Sequence, residues 1–110
     1  MSNVDISIII PVYNEEEVLD IFFDRMNPIL KSLSKYTYEY LFINDGSTDR
    51  TLDILREYNK KDSHVKVISL SRNFRKEACL FCGLENTSGK AIILMDVDLQ
   101  DPPELIKDFL

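Results

Sequence analysis

The chain is poor in the residues on which the familiar nucleotide and metal signatures depend. It has only 3 glycines in 110 residues, Gly46, Gly83 and Gly89. Glycines so far apart cannot write G-x-G-x-x-G or a Walker A loop, which argues against a dinucleotide dehydrogenase and a P-loop NTPase. There is 1 histidine, His64, and there are 2 cysteines, Cys79 and Cys82. Their C-x-x-C spacing lacks the second ligand pair that a zinc site needs. Cys79-Leu80-Phe81-Cys82 lies in an apolar stretch with helical spacing, so both are read as small buried thiols in a reducing compartment. Basic excess is also missing: 13 Lys and Arg face 19 Asp and Glu, a net charge of −6. No nucleic-acid partner is expected from that balance. No apolar run approaches the length of a membrane span, and Met1-Ser2-Asn3-Val4-Asp5 has no basic leader region.

What is present suffices for one domain with a real core, since 45% of the residues are apolar. Near-continuous apolar runs at Ile6–Val12, Tyr38–Ile43, Val65–Leu70 and Lys90–Met95 read as buried strands. Between them fall helical stripes. Val18, Phe22, Met26, Ile29 and Leu33 mark a helix over Glu15–Leu33, which Asn27-Pro28 should kink or interrupt. Ser47, Thr48 and Asp49 offer caps for a helix to about Lys60. Further helices are expected from about Lys76 to Glu85 and from Pro103, with a turn at Ser88-Gly89. Strands alternating with helices predict an α/β fold, a parallel, doubly wound sheet of βαβ units. Phe109-Leu110 end the chain in mid-helix, which reads as the interior of a longer protein.

In such a sheet every strand delivers its following loop to one edge, where ligands bind. The richest of these loops is Asp96-Val97-Asp98-Leu99-Gln100-Asp101. If the extended path continues past Met95, Asp96, Asp98 and Gln100 share a face. Three oxygen donors there suit Mg²⁺ or Mn²⁺ bridging phosphate oxygens. Asp45, after the second strand, could accept the N–H of uracil or the paired N–H groups of guanine. It could equally be a turn residue of Asn44-Asp45-Gly46. Tyr13 could stack on a base or be a half-exposed aromatic. Glu15 could hold a ribose hydroxyl or complement a helix dipole in the first turn. Arg72, Arg75 and Lys76 could meet a phosphate or form a solvated helix start.

Three stretches in order carry a family resemblance: Ile8-Ile9-Ile10-Pro11-Val12-Tyr13-Asn14-Glu15-Glu16, Phe42-Ile43-Asn44-Asp45-Gly46-Ser47-Thr48-Asp49, and Asp96-Val97-Asp98-Leu99-Gln100-Asp101-Pro102-Pro103-Glu104. Together they resemble the family 2 glycosyltransferases of the GT-A fold. The form of the last stretch, with Ser71-Arg72-Asn73-Phe74 before it, is similar to the polyprenyl-phosphate glycosyltransferases, of the dolichol-phosphate mannose synthase and bactoprenol glucosyltransferase kind. The resemblance implies that residues 1–110 are the nucleotide-binding half of a GT-A domain. It implies nucleotide-sugar contacts from Pro11, Tyr13, Glu15, Ile43, Asp45, Asp96 and Val97. Metal ligation would fall to Asp98 and Gln100, and phosphate contacts to Arg72 and Lys76. The implied donor is a UDP-glucose or GDP-mannose type sugar nucleotide, and the implied acceptor is a polyprenyl phosphate. Catalytic base or acceptor residues are expected beyond residue 110, as are membrane helices, at the cytoplasmic face of the membrane. By itself the segment should be soluble and inactive. Asn44 stands where many members have Asp, and Arg75 where many have Gly; the second bears on the acceptor side. Three other readings compete: a polysaccharide or protein acceptor, a non-catalytic Mg²⁺-binding module of receiver type, and a nucleotidyltransferase. Receiver domains place paired acids after the first strand, where this chain has Pro11-Val12-Tyr13. Nucleotidyltransferases want an early glycine-rich basic loop, which is absent.

Overall fold

Among the described residues four parallel strands form one sheet in the order β3-β2-β1-β4. The computed structural model describes residues 4–33, 35–70, 82–87 and 90–98. The elements are β1 (Ile6–Val12), α1 (Leu19–Ser32), β2 (Tyr38–Asp45), α2 (Thr51–Lys61), β3 (Val65–Leu70) and β4 (Ala91–Leu94), and residues 82–86 are helical. β1 pairs with β2 along its whole length, from Ile6 opposite Tyr38 to Val12 opposite Asn44. Its pairing with β4 is shorter, Ile6 opposite Ala91 to Ile9 opposite Leu94. The all-parallel α/β architecture expected from the sequence is therefore present.

Alternation sends the two sides of the sheet to two cores. Ile6, Ile8, Ile10, Val12, Tyr40, Phe42 and Val65 meet Leu19, Phe22, Phe23, Met26 and Leu30 of α1 and Leu55 of α2. Aromatic edges fix that layer, and Phe23 stacks on Tyr58 at 3.9 Å, joining α1 to α2. On the opposite side Ile9, Leu41 and Ile43 pack with Ile68, Leu70 and Cys82. Burial on both faces explains why these strands read as continuous apolar runs. It also makes the sheet doubly wound.

The boundaries differ from expectation in places. α1 starts at Leu19, not Glu15, because residues 16–18 form a turn closed by Val18 N–H donating to Glu15 O at 3.1 Å. Pro28 does not interrupt α1. The carbonyl it frees belongs to exposed Asp24, where water can take the bond. β2 runs two residues past Ile43, since Asn44 and Asp45 still pair with Ser69 and Leu70 of β3. α2 begins at Thr51 with Arg50 at the cap position and no side-chain cap bond there, so none of the three cap candidates holds it; Asp49, one residue earlier, accepts Thr51 N–H on Oδ1 at 2.9 Å. Cys82 is a free thiol, half-buried rather than fully buried. Cys79, Arg75, most of the helix expected at 76–85, the turn at Ser88-Gly89 and the helix at Pro103 lie outside the described residues.

Candidate functional site at the strand exits

The strand order reverses direction between β1 and β4. In a doubly wound sheet that reversal leaves a crevice beyond the carboxyl ends of the strands, because the connections on either side lead away from it. Pro11 deepens the gap. Ile9 turns its carbonyl toward β4, accepting from Met95 N–H at 3.0 Å. Two residues on, Pro11 faces the same side and has no N–H to offer, so the β1–β4 ladder stops there. Pro11 is itself half-buried and still registers with Ile43 of β2.

β1 exits into Tyr13, whose ring is 46% exposed, then Asn14 and Glu15. β2 exits through Asn44 and Asp45, 2% and 6% exposed, into Gly46 at φ 73°. That left-handed turn suits glycine. Asn44 is braced: its Nδ2 donates to Ser69 Oγ at 3.1 Å and its Oδ1 accepts from Ser47 N–H at 3.4 Å. β4 exits into Asp96, Val97 and Asp98. Val97 is 3% exposed and belongs to the α1-side core, while Asp96 and Asp98 are exposed. Ile43 is wholly buried in the other core.

One expectation about this edge is corrected. The extended path does not continue through Asp98, because β4 ends at Leu94 and residues 97–98 form a turn. Burial of Val97 pulls the backbone inward there. Strand alternation therefore does not place Asp96 and Asp98. Gln100, Arg72 and Lys76 lie outside the described residues.

Electrostatics nonetheless bring the sequence-distant acids together. Burial, then the carboxylates of Asp98, Asp49 and Asp96, hold the Glu15 carboxyl above its ordinary value of 4.5. The exits of β1, β2 and β4 thus share one field of negative charge. Asp49 behaves oppositely. Burial pushes it up, but hydrogen bonds from Thr51 and from the Glu16 and Asp49 backbones outweigh that and lower it below 3.8. Sequence reading gave Asp49 only a helix-cap role and missed that it also receives Glu16 N–H at 3.3 Å.

Also missed was the network joining the first two exits. Asn14 has φ 52°, and its Oδ1 accepts from Thr48 N–H at 2.8 Å and Asp49 N–H at 3.3 Å. Asn14 N–H donates to Ser47 Oγ at 2.9 Å. Glu15 N–H donates to Thr51 Oγ1 at 2.8 Å, and the Thr51 hydroxyl in turn donates a hydrogen bond to Asp49 Oδ1. The available signal was chemical: Asn is the side chain that best tolerates a left-handed backbone while bonding its surroundings.

Two exposed carboxylates at one strand exit fit a hard cation that keeps substrate phosphates among its ligands. Among the described residues no group of three or more His, Cys, Asp or Glu could hold a metal ion.

Known proteins share this sequence pattern and fold. The family model for glycosyl transferase family 2 matches residues 7–110. A bactoprenol glucosyl transferase of Shigella phage SfX is 46% identical over 101 residues, covering 92% of this chain and 33% of the relative. An uncharacterized glycosyltransferase of Bacillus subtilis is 44% identical over 108 residues, covering 98% of this chain and 33% of its own length. The chain spans about a third of the curated relatives it matches. Among solved structures, glucosyl-3-phosphoglycerate synthase from Mycobacterium tuberculosis, in complex with Mn²⁺, UDP-glucose and phosphoglyceric acid, superposes with a TM-score of 0.71. It is 25% identical, and the match covers 98% of this chain and 38% of that one.

Proposed function

The chain belongs to glycosyl transferase family 2, and from that premise we propose that residues 1–110 are the nucleotide-sugar-binding half of a polyprenyl-phosphate glycosyltransferase. The complete protein would move a hexose from a nucleoside diphosphate to a polyprenyl phosphate such as undecaprenyl or dolichyl phosphate, with inversion at the anomeric carbon. The observation that carries this reading is the meeting of three strand exits at the β1–β4 reversal, where Glu15 senses Asp98, Asp49 and Asp96. The names of relatives such as the phage bactoprenol glucosyl transferase support the acceptor class.

Each exit then has a task. Asp45 accepts N–H groups of the base, and Tyr13 packs its exposed ring on it. Glu15 accepts a ribose hydroxyl. Pro11 borders the nucleoside, and Ile43, beside it in register but wholly buried, supports that floor from within the sheet. Asp96 and the Val97 backbone border the ribose and diphosphate. Asp98 and Gln100 would hold Mg²⁺ or Mn²⁺, which when bound neutralises charge on the leaving diphosphate. Arg72 and Lys76 serve the phosphates. The acceptor is already anionic near neutral pH, with a second phosphate pKa of about 6. It therefore needs less help from a general base than a sugar hydroxyl would. Acceptor-binding and base residues, and contact with the cytoplasmic face of the membrane, are assigned to the rest of the protein. Among the described residues no helix is long and apolar enough to cross a membrane.

The test is calorimetric titration of the full-length protein with UDP and GDP, with and without Mn²⁺, in wild type and Asp98→Ala. One nucleotide should bind in a metal-dependent way, and Asp98→Ala should weaken it at least about tenfold, the lower bound for losing a ligand-shell interaction. Unchanged metal-dependent binding by Asp98→Ala would sink the assignment. Sugar transfer to undecaprenyl phosphate, set against transfer to a glycan, then decides the acceptor.

A further inference from the structure

Among the described residues Asn14 is the only non-glycine residue with a positive φ. It sits between Tyr13 and Glu15, the two side chains that β1 contributes to the proposed nucleoside site. Its side chain is spent on the neighbouring loop: Oδ1 accepts from Thr48 N–H at 2.8 Å, from Asp49 N–H at 3.3 Å and from Thr48 Oγ1 at 3.4 Å. Its own N–H returns a bond to Ser47 Oγ at 2.9 Å. One residue of the β1 exit thus grips three consecutive residues of the β2 exit. The next two backbone N–H groups extend the grip, Glu15 to Thr51 Oγ1 and Glu16 to Asp49 Oδ2.

We propose that Asn14 is a positioning residue for nucleotide binding, locking the β1 exit that carries Tyr13 and Glu15 onto the β2 exit that carries Asp45. The role rests on the nucleotide reading of this edge. Its logic is preorganisation. Tyr13 and Glu15 lie on an exit loop with no ladder partner, beyond the last β1–β2 pair at Val12 and Asn44. Without the Asn14 bonds that loop must be ordered when the ligand arrives, which lowers affinity with no contact to the ligand lost. The left-handed turn at Asn14 admits Gly, Asn or Asp and disfavours other residues. Backbone permission and the Oδ1 acceptor can therefore be separated by mutation.

The experiment measures UDP and GDP affinity and donor kinetics of the full-length protein in wild type, Asn14→Gly and Asn14→Asp, with thermal melting of each. Asn14→Gly keeps the backbone and deletes the acceptor. It should bind nucleotide about tenfold more weakly, the scale of one or two lost hydrogen bonds, while remaining folded. The KM for donor should rise, with kcat at saturating donor within about twofold, as expected when binding alone is affected. Asn14→Asp, which restores an acceptor, should recover most of the affinity. In a Tyr13→Ala/Glu15→Gln background Asn14→Gly should cost little more, because the residues it positions are gone. Wild-type affinity in Asn14→Gly, or a full additional loss in the Tyr13→Ala/Glu15→Gln background, would overturn the positioning role while leaving the nucleotide site standing. A wild-type protein that binds neither UDP nor GDP would overturn both.

Discussion

At the scale of single residues, Glu15 carries an electrostatic cost that a bound cation would offset. Its carboxyl is held above 4.5 by burial and by three acidic neighbours. A raised folded-state pKa contributes stability that is fully present below the unfolded pKa and is lost as pH rises through the folded value. Glu15→Gln should therefore stabilise the unliganded protein near neutral pH, by less than the bare repulsion because solvent screens the partly exposed group. The gain should vanish below the carboxylate range, and urea denaturation at acid and neutral pH would show it. A gain that persisted unchanged in acid would mean that Glu15 ionisation is not its source. The same variant should weaken nucleotide binding, separating function from stability at one site. How much of the site was legible followed from chemistry at each position. Asp45 and the acids after β4 stood out because they follow apolar strand runs, although Asp45 read equally as a turn residue. Asn14 and Thr51 did not, because their work is to bond loops that meet only in three dimensions. The extended path through Asp98 was misread, since β4 ends at Leu94 and residues 97–98 turn, but Asp96 and Asp98 are both exposed on either side of buried Val97.

At the scale of elements, two close contacts test the packing. On the face away from α1 and α2, a β-carbon built on Gly83 would lie 2.7 Å from Ile9 Cγ2. Ile9 is wholly buried in the central strand and has no room to yield. Gly83→Ala should destabilise the fold by about 1–3 kcal/mol from overpacking, reduced by up to about 1 kcal/mol of gained helix propensity. A fall in the urea midpoint at constant m would show this, and a rise would mean that the helix at 82–86 can lift off β1. Nearer the strand starts, Glu39 is 2% exposed, accepts from Ser7 Oγ and pairs with Lys66 Nζ at 2.7 Å. Lys66→Met removes one partner from a buried carboxylate and should cost about 1–3 kcal/mol. Stability unchanged in thermal melts would show that the remaining partners suffice. The strands were legible because burial on both faces writes unbroken apolar runs, Ile6–Val12 above all. The ends were less so. Glu15 to Val18 has helical composition, but the β1 exit is already committed to bonds with Ser47 and Thr51, which delay α1 to Leu19. Pro28 reads as a helix breaker, yet solvent at Asp24 removes most of the cost.

At the scale of the whole molecule, topology and charge act on the same edge. The order β3-β2-β1-β4 sets the reversal beside the central strand, so the exits of β1, β2 and β4 converge. The chain brings a net charge of −6 to that arrangement. Convergence of Glu15, Asp49, Asp96 and Asp98 then concentrates repulsion where an anionic diphosphate is proposed to bind. Simple salt should relieve part of it. Raising NaCl from about 0.01 M to about 0.1 M shortens the screening length from about 30 Å to about 10 Å, and the melting midpoint of the unliganded protein should rise. A divalent cation seated at the exits would do more than screen, because binding to the folded state alone adds stability by mass action. MgCl₂ or MnCl₂ at matched ionic strength should therefore raise the midpoint beyond NaCl, and Asp98→Ala should remove the excess while keeping the common salt effect. Equal effects of the monovalent and divalent salts in wild type would reduce the acidic edge to diffuse repulsion and count against a cation held there without nucleotide.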